Sequence, residues 1–190
     1  MTRRMSAPAL LVLAGLLPAM AQAAPADTLA LARQVNAQIV HRHVQEEIQA
    51  ITEAMNGGAG QSLVKDSPAG CQAQMGEAVT TLYAAMAAQV RSGIEEPAYL
   101  AAMDKQLAAV YSAEELKAFL AQSADADTDP GGLYRQVMSG PGLQEIDDAQ
   151  KQKVFAAMDE NAPATPALAA AFQAAQVAKD ACQRLQIDAS

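Results

Sequence analysis

The first residues with chemical potential are His41 and His43, followed at once by Glu46 and Glu47. On a helix His43 and Glu47 share a face, an arrangement that two ligands of one metal ion use. A zinc site needs a third and a fourth ligand, and these are the only 2 histidines in the chain. His-x-His also sends its two rings to different sides of a helix. The pair therefore reads as polar residues flanking an apolar stripe at Val40 and Val44. The second candidate is Asp125-x-Asp127-x-Asp129, the spacing of the first ligands of a calcium loop. An EF-hand continues with glycine at the sixth position and a bidentate glutamate at the twelfth. Here those positions hold Pro130 and Gln136. What remains is a weak calcium candidate and, more plainly, a solvated acidic loop in which Asp and Gly favour turns. This loop, Asp125, Asp127 and Asp129, is where contact with a partner is first expected.

Catalytic arrangements are harder to find. There is no Gly-x-Ser-x-Gly, and no serine lies beside a histidine in sequence. Asp147 and Asp148 are adjacent, so on a helix they diverge, unlike a working acid/base pair. Met75, Met86, Met103, Met138 and Met158 fall mostly on helical stripes, where methionine fills cores more often than it binds copper. The expectation is a protein that is not an enzyme and carries no cofactor. Cys71 and Cys182 are the only cysteines. Their separation does not suit a Cys-x-x-Cys redox pair, and a structural disulfide is expected in an oxidising compartment.

The N-terminus supplies that compartment. Arg3 and Arg4 form a basic start, an apolar run follows from Ala9 to Met20, and Ala21-Gln22-Ala23 fits a small-x-small cleavage site. A secretory signal over residues 1–23, cut near Ala23, would send residues 24–190 to the periplasm. The apolar run is too short to span a bilayer, and no membrane insertion is expected after cleavage. The net charge is −8 and becomes more acidic once the two arginines leave. Phosphate repulsion then argues against nucleic acid and anionic membranes, and leaves room for a basic protein partner.

The rest of the chain must position these groups, and its apolar spacing is helical throughout. Leu31, Val35, Ile39, Val40, Val44, Ile48, Ile51 and Met55 recur by threes and fours, predicting one long helix that Gly57-Gly58-Ala59-Gly60 should stop. Further helices are expected from Cys71 to Ser92-Gly93, from Pro97 to Val110, over Leu133–Met138, over Ile146–Met158 with Phe155 on its apolar side, and from Thr165-Pro166 onward. The best-specified stretch is Tyr111–Leu120, YSAEELKAFL. Ser112 and Glu115 have the spacing of a capping box, and Leu116, Phe119 and Leu120 make one apolar face. No run alternates with a period of two. The fold class is all-α: a single-domain antiparallel helical bundle of about six to seven helices, stapled by one disulfide.

The same stretch carries a likeness. With an export signal and a helical body, Tyr111, Glu115, Leu116, Lys117, Ala118 and Phe119 resemble the exported bacterial family known as domain of unknown function 2059. The likeness covers residues 111–120 and, more loosely, 75–158. Leu120 stands where that family has a second aromatic, and the Asp-rich segment stands where it has a Ser-Pro-x-Gly turn. The resemblance implies a helical fold and a periplasmic setting, and it brings no activity.

Small, exported, acidic and disulfide-stapled, the chain is expected to be a non-enzymatic periplasmic protein-binding protein. In its sharpest form it is an immunity protein or inhibitor that neutralises a secreted antibacterial toxin. The alternative is a structural or chaperone-like envelope stress protein, which would show an exposed apolar groove.

Overall fold

A computed structural model describes residues 25–161 and 165–188. The expected signal segment, residues 1–23, lies outside the described residues. Among the described residues the chain is all-α, with no strand.

The first helix, α1, runs without a break over residues 26–65. It contains two π segments, Asn36–His41 and Met55–Ala59. The glycines at 57, 58 and 60 were expected to end this helix, and they do not. Glycine costs roughly 1 kcal/mol per helical position; Gly57 and Gly58 face open space, and only Gly60 of the three is packed against a later helix. At Gly60 an added Cβ would lie 2.9 Å from the Met55 carbonyl oxygen, 3.1 Å from the Tyr83 ring and 3.2 Å from Val79, so a larger residue would crowd that contact. The other π segment opens where buried Asn36 donates a hydrogen bond to Asp104 at 2.8 Å. Among the described residues a 3-10 turn at Ala69–Cys71 and six α-helices follow: α2 Gln72–Ile94, α3 Pro97–Val110, α4 Ala113–Ser123, α5 Pro130–Met138, α6 Leu143–Ala156 and α7 Pro166–Asp188.

The Tyr111 stretch becomes α4 with its capping box complete. The Ser112 hydroxyl accepts from the Glu115 backbone N–H, and the Glu115 carboxylate accepts from the Ser112 N–H at 2.7 Å. Those hydrogen bonds hold the Glu115 carboxyl below its usual range. Leu116 and Phe119 are buried as expected. Tyr111 meets Phe119 edge-on, and its hydroxyl donates to the Val137 carbonyl at 2.7 Å, tying α4 to α5.

The main core lies between the first half of α1 and helices α3, α4 and α5. Val35, Met103, Leu107, Leu116, Val137 and Leu143 are wholly enclosed there. The second half of α1 leaves this core and packs on α2, whose other side is covered by α7. Cys71 and Cys182 form the expected disulfide, joining the start of α2 to the end of α7. The two helices therefore run antiparallel. Thr165 caps α7 through its hydroxyl, which accepts from the Leu168 N–H.

Candidate functional site: an apolar groove with an acidic end

The second half of α1 and helix α6 both pack on α2 and make no substantial contact with each other. The gap between them is a groove of about 300 Å³, the lower end of the range for ligand pockets. Its sequence origin is simple. Val44, Ile48, Ile51 and Met55 continue the apolar stripe of α1 past the end of the main core. Met86, Val90 and Ile94 give the floor from α2, and Val154 of α6 with Met158 in the turn after it gives the far wall. Two large apolar side chains stand on the lips: Ile51 is 59% exposed and Phe155 is 66% exposed. Both belong to stripes that the sequence assigns to the interior. Among the described residues no element packs over them.

One end of the groove is polar. The Tyr99 hydroxyl donates to Asp147 Oδ1 at 3.0 Å, and Lys151 Nζ lies 2.7 Å from Asp147 Oδ2. Asp147 is buried, while Asp148 is exposed, so the adjacent acids diverge as expected. Burial and the neighbouring Asp147 charge push the Tyr99 hydroxyl well above its ordinary value. The hydrogen bond to Asp147 likewise raises the Lys151 ammonium. Tyr134 is raised by burial and then by the Asp147 charge, with Glu47 and Asp148 adding to it. Carboxylates therefore surround this end from α1 and α6 together.

The raised groups set an alkaline limit. Tyr99 and Lys151 keep their protons in the folded state at pH values where the unfolded side chains, at about 10 and 10.4, release them. Their stabilisation is full below about pH 10 and is lost as pH rises beyond it. In urea denaturation at about pH 8 and pH 11, the wild type is expected to lose more stability between the two than Tyr99→Phe does. Equal losses would show that Tyr99 titrates alike in both states.

The other sequence candidates fall around this end. His43 Nε2 lies 3.4 Å from Glu47 Oε1, the pairing expected from their spacing. The His43 ring stacks on Tyr134 with centroids 4.1 Å apart. His41 accompanies Gln45 instead, at 2.9 Å, so the two histidines separate. The acidic loop comes in behind His43: a side-chain carbon at Gly131 would sit 3.9 Å from the His43 ring. Within that loop Asp129 caps α5, its two carboxylate oxygens accepting from the Gly131 and Gly132 N–H groups. Asp125 accepts from the Asp127 N–H in an Asx turn. Among the described residues no group of three or more His, Cys, Asp and Glu converges on a metal position.

Sequence reasoning did not single out Tyr99, Lys151 or the groove lips. The Asp147–Lys151 pair has an i, i+4 spacing that was open to reading. Tyr99 reaches Asp147 across 48 positions, and no local signal carries that contact. A second depression, about 590 Å³ and shallower, lies between α2 and α6. Glu96 and Lys153 close on each other there at 2.6 Å, and Gln150 adds a hydrogen bond to Glu96. Gln89 on the same lining leaves a buried Oε1 without a hydrogen-bond partner among the described residues. This depression is nevertheless the more open of the two and lacks the groove's continuous apolar lining, so the apolar groove is the better site. Compared with protein-family models, curated proteins and solved structures, the chain matches none of the three.

Proposed function

We propose that this is a non-enzymatic protein of the bacterial periplasm that binds another protein through the groove between α1, α2 and α6. The observation that carries this reading is the uncovered apolar groove, with Ile51 and Phe155 standing out on its lips. A contiguous apolar surface of this kind is costly to leave in water and commonly marks an interaction site. The polar groups at its end suit the same role: Tyr99 and Lys151 are both engaged by Asp147, which makes a fixed floor rather than a proton shuttle. The disulfide fits an oxidising compartment. Among the described residues no helix is long and apolar enough to cross a membrane. The likeness of residues 111–120 to domain of unknown function 2059 points to the same setting.

In its sharpest form the partner is a secreted antibacterial toxin, and the protein is its immunity protein or inhibitor. A chaperone-like role is the second reading. It is favoured by Met55, Met86 and Met158 in the groove, because flexible methionines let one surface re-pack around many partners. A photo-reactive amino acid at position 51 separates the two in cells. A single crosslinked protein that vanishes with Phe155→Ala supports a dedicated partner. A broad ladder of products supports the chaperone role. Absence of any product, with the same probe exposed and the protein folded, overturns protein binding at the groove.

A further inference from the structure

We infer that the groove receives a basic amphipathic helix of the partner, about three turns long, with its apolar stripe against α2 and its Lys or Arg residues toward the acidic end. The inference rests on the protein-binding reading and names the chemistry of the bound segment.

Length comes first. Residues 44–55 of α1 and residues 147–158, the last turns of α6 and the turn after it, bound the groove. At 1.5 Å per residue each wall is about 16 Å long, which is three turns of helix. Shape comes second. Two helical walls on a helical floor leave a trough that a further helix fills by ridges and grooves, with anchors at i, i+4 and i+7. Ile51 and Phe155, one on each wall, would close over such a helix from both sides.

Charge then selects the kind of helix. Glu47 and the buried Asp147 line the groove, and exposed Asp148 acts with both on the nearby Tyr134. The cation among them, Lys151, is held by Asp147 at 2.7 Å. Past the His43–Tyr134 stack comes the loop with exposed Asp125, Asp127 and Asp129, of which Asp129 faces Arg135. Arg42, the nearby cation of α1, lies 3.8 Å from Glu46. Arg91 of α2 adds a cation on the flank formed with Ile48 and Ile94. The carboxylates of Glu47, Asp147 and Asp148 still outnumber Lys151 and Arg91, in keeping with a chain of net charge −8. A basic segment gains from this field in both encounter rate and register, and an acidic one is repelled.

The test uses the oxidised protein, residues 24–190, and two labelled helical peptides of about 15 residues with the same leucine stripe. One peptide is flanked by Lys and the other by Glu, and binding is read by fluorescence anisotropy. The Lys-flanked peptide is expected to bind roughly tenfold or more tighter than its Glu-flanked twin. The charge-neutral double change Ile51→Ser with Phe155→Ala should weaken it by about tenfold. Both side chains are exposed, so this variant should fold, and circular dichroism verifies that. Glu47→Lys and Asp148→Lys should each weaken it severalfold, and added salt should do the same.

Equal binding of the two peptides overturns the inference, as does Lys-peptide binding untouched by the change at Ile51 and Phe155. So does a dimer in sedimentation, or capture by phosphatidylcholine vesicles, if the same double change abolishes it; the groove then belongs to a second copy or to lipid. A protein crosslinked at position 51 in cells, together with peptides that bind alike, sinks the basic helix and leaves the protein-binding reading intact. The reverse pattern removes the cellular reading and leaves the groove chemistry standing.

Discussion

Replacing Cys71 and Cys182 together with alanine is expected to lower stability by about 4–5 kcal/mol, because the bridge closes a very long loop in the unfolded chain. The two cysteines are 111 positions apart, and the loop-entropy estimate is largest for such separations. For a protein of this size that corresponds to a fall in melting temperature of roughly 10–20 °C. The structural consequence should be local as well as global. The bridge fixes the start of α2 to the end of α7, two helices packed along each other whose buried residues include Ala78, Ala171 and Ala178 as well as Leu168. Alanine faces bury little area per residue, at about 25 cal/mol per Å², so this pair depends on the covalent link more than the main core does. Thermal melts with and without reductant give the comparison. A loss below about 1 kcal/mol would mean that α2 and α7 keep each other in place without the bridge, against the loop-closure account.

The second large effect is expected at Leu116. Leu116→Ala should cost about 2–5 kcal/mol, the range for emptying a tightly packed leucine site. Leu116 is 0% exposed and belongs to the same cluster as Val35, Met103 and Leu107. Those residues sit on helices pinned by Asn36 to Asp104 and by Tyr111 to Val137, so the walls have little freedom to collapse into the space. Leu116→Met, which keeps the volume, should cost less than about 1.5 kcal/mol. Urea denaturation measures both, and a similar small loss for the two would place Leu116 at a yielding edge of the core. Neither change touches the groove, so peptide binding by the folded fraction should persist. Binding and stability can therefore be separated experimentally in this molecule.

The acidic loop illustrates how a candidate site changes meaning once neighbours are known. Read alone, Asp125, Asp127 and Asp129 offer ligands to a cation or a partner. In the structure Asp129 spends both oxygens on the first N–H groups of α5, and Asp125 shapes the turn before it. The loop's remaining contribution is its field, delivered next to His43 and hence toward the end of the groove.

By itself the sequence determined the helices, their caps and their covalent closure. These are decided by interactions within about four residues or by elimination. Ser112 and Glu115 cap α4 because the cap needs only residues three apart. Thr165 caps α7 for the same reason. Cys71 and Cys182 pair because the chain holds no other cysteine. The tertiary structure alone decided which apolar stripes are covered. Ile51 and Phe155 have the periodicity of core residues, yet among the described residues no element packs over them, because α1 and α6 share α2 as a floor and stay apart. It also decided that α1 runs through its glycines, with Gly60 packed against Tyr83 and Val79 of α2. Periodicity specifies which face of a helix is apolar. Only the distances between helices remote in sequence specify whether another helix is there to meet it, and that missing neighbour is what makes the groove.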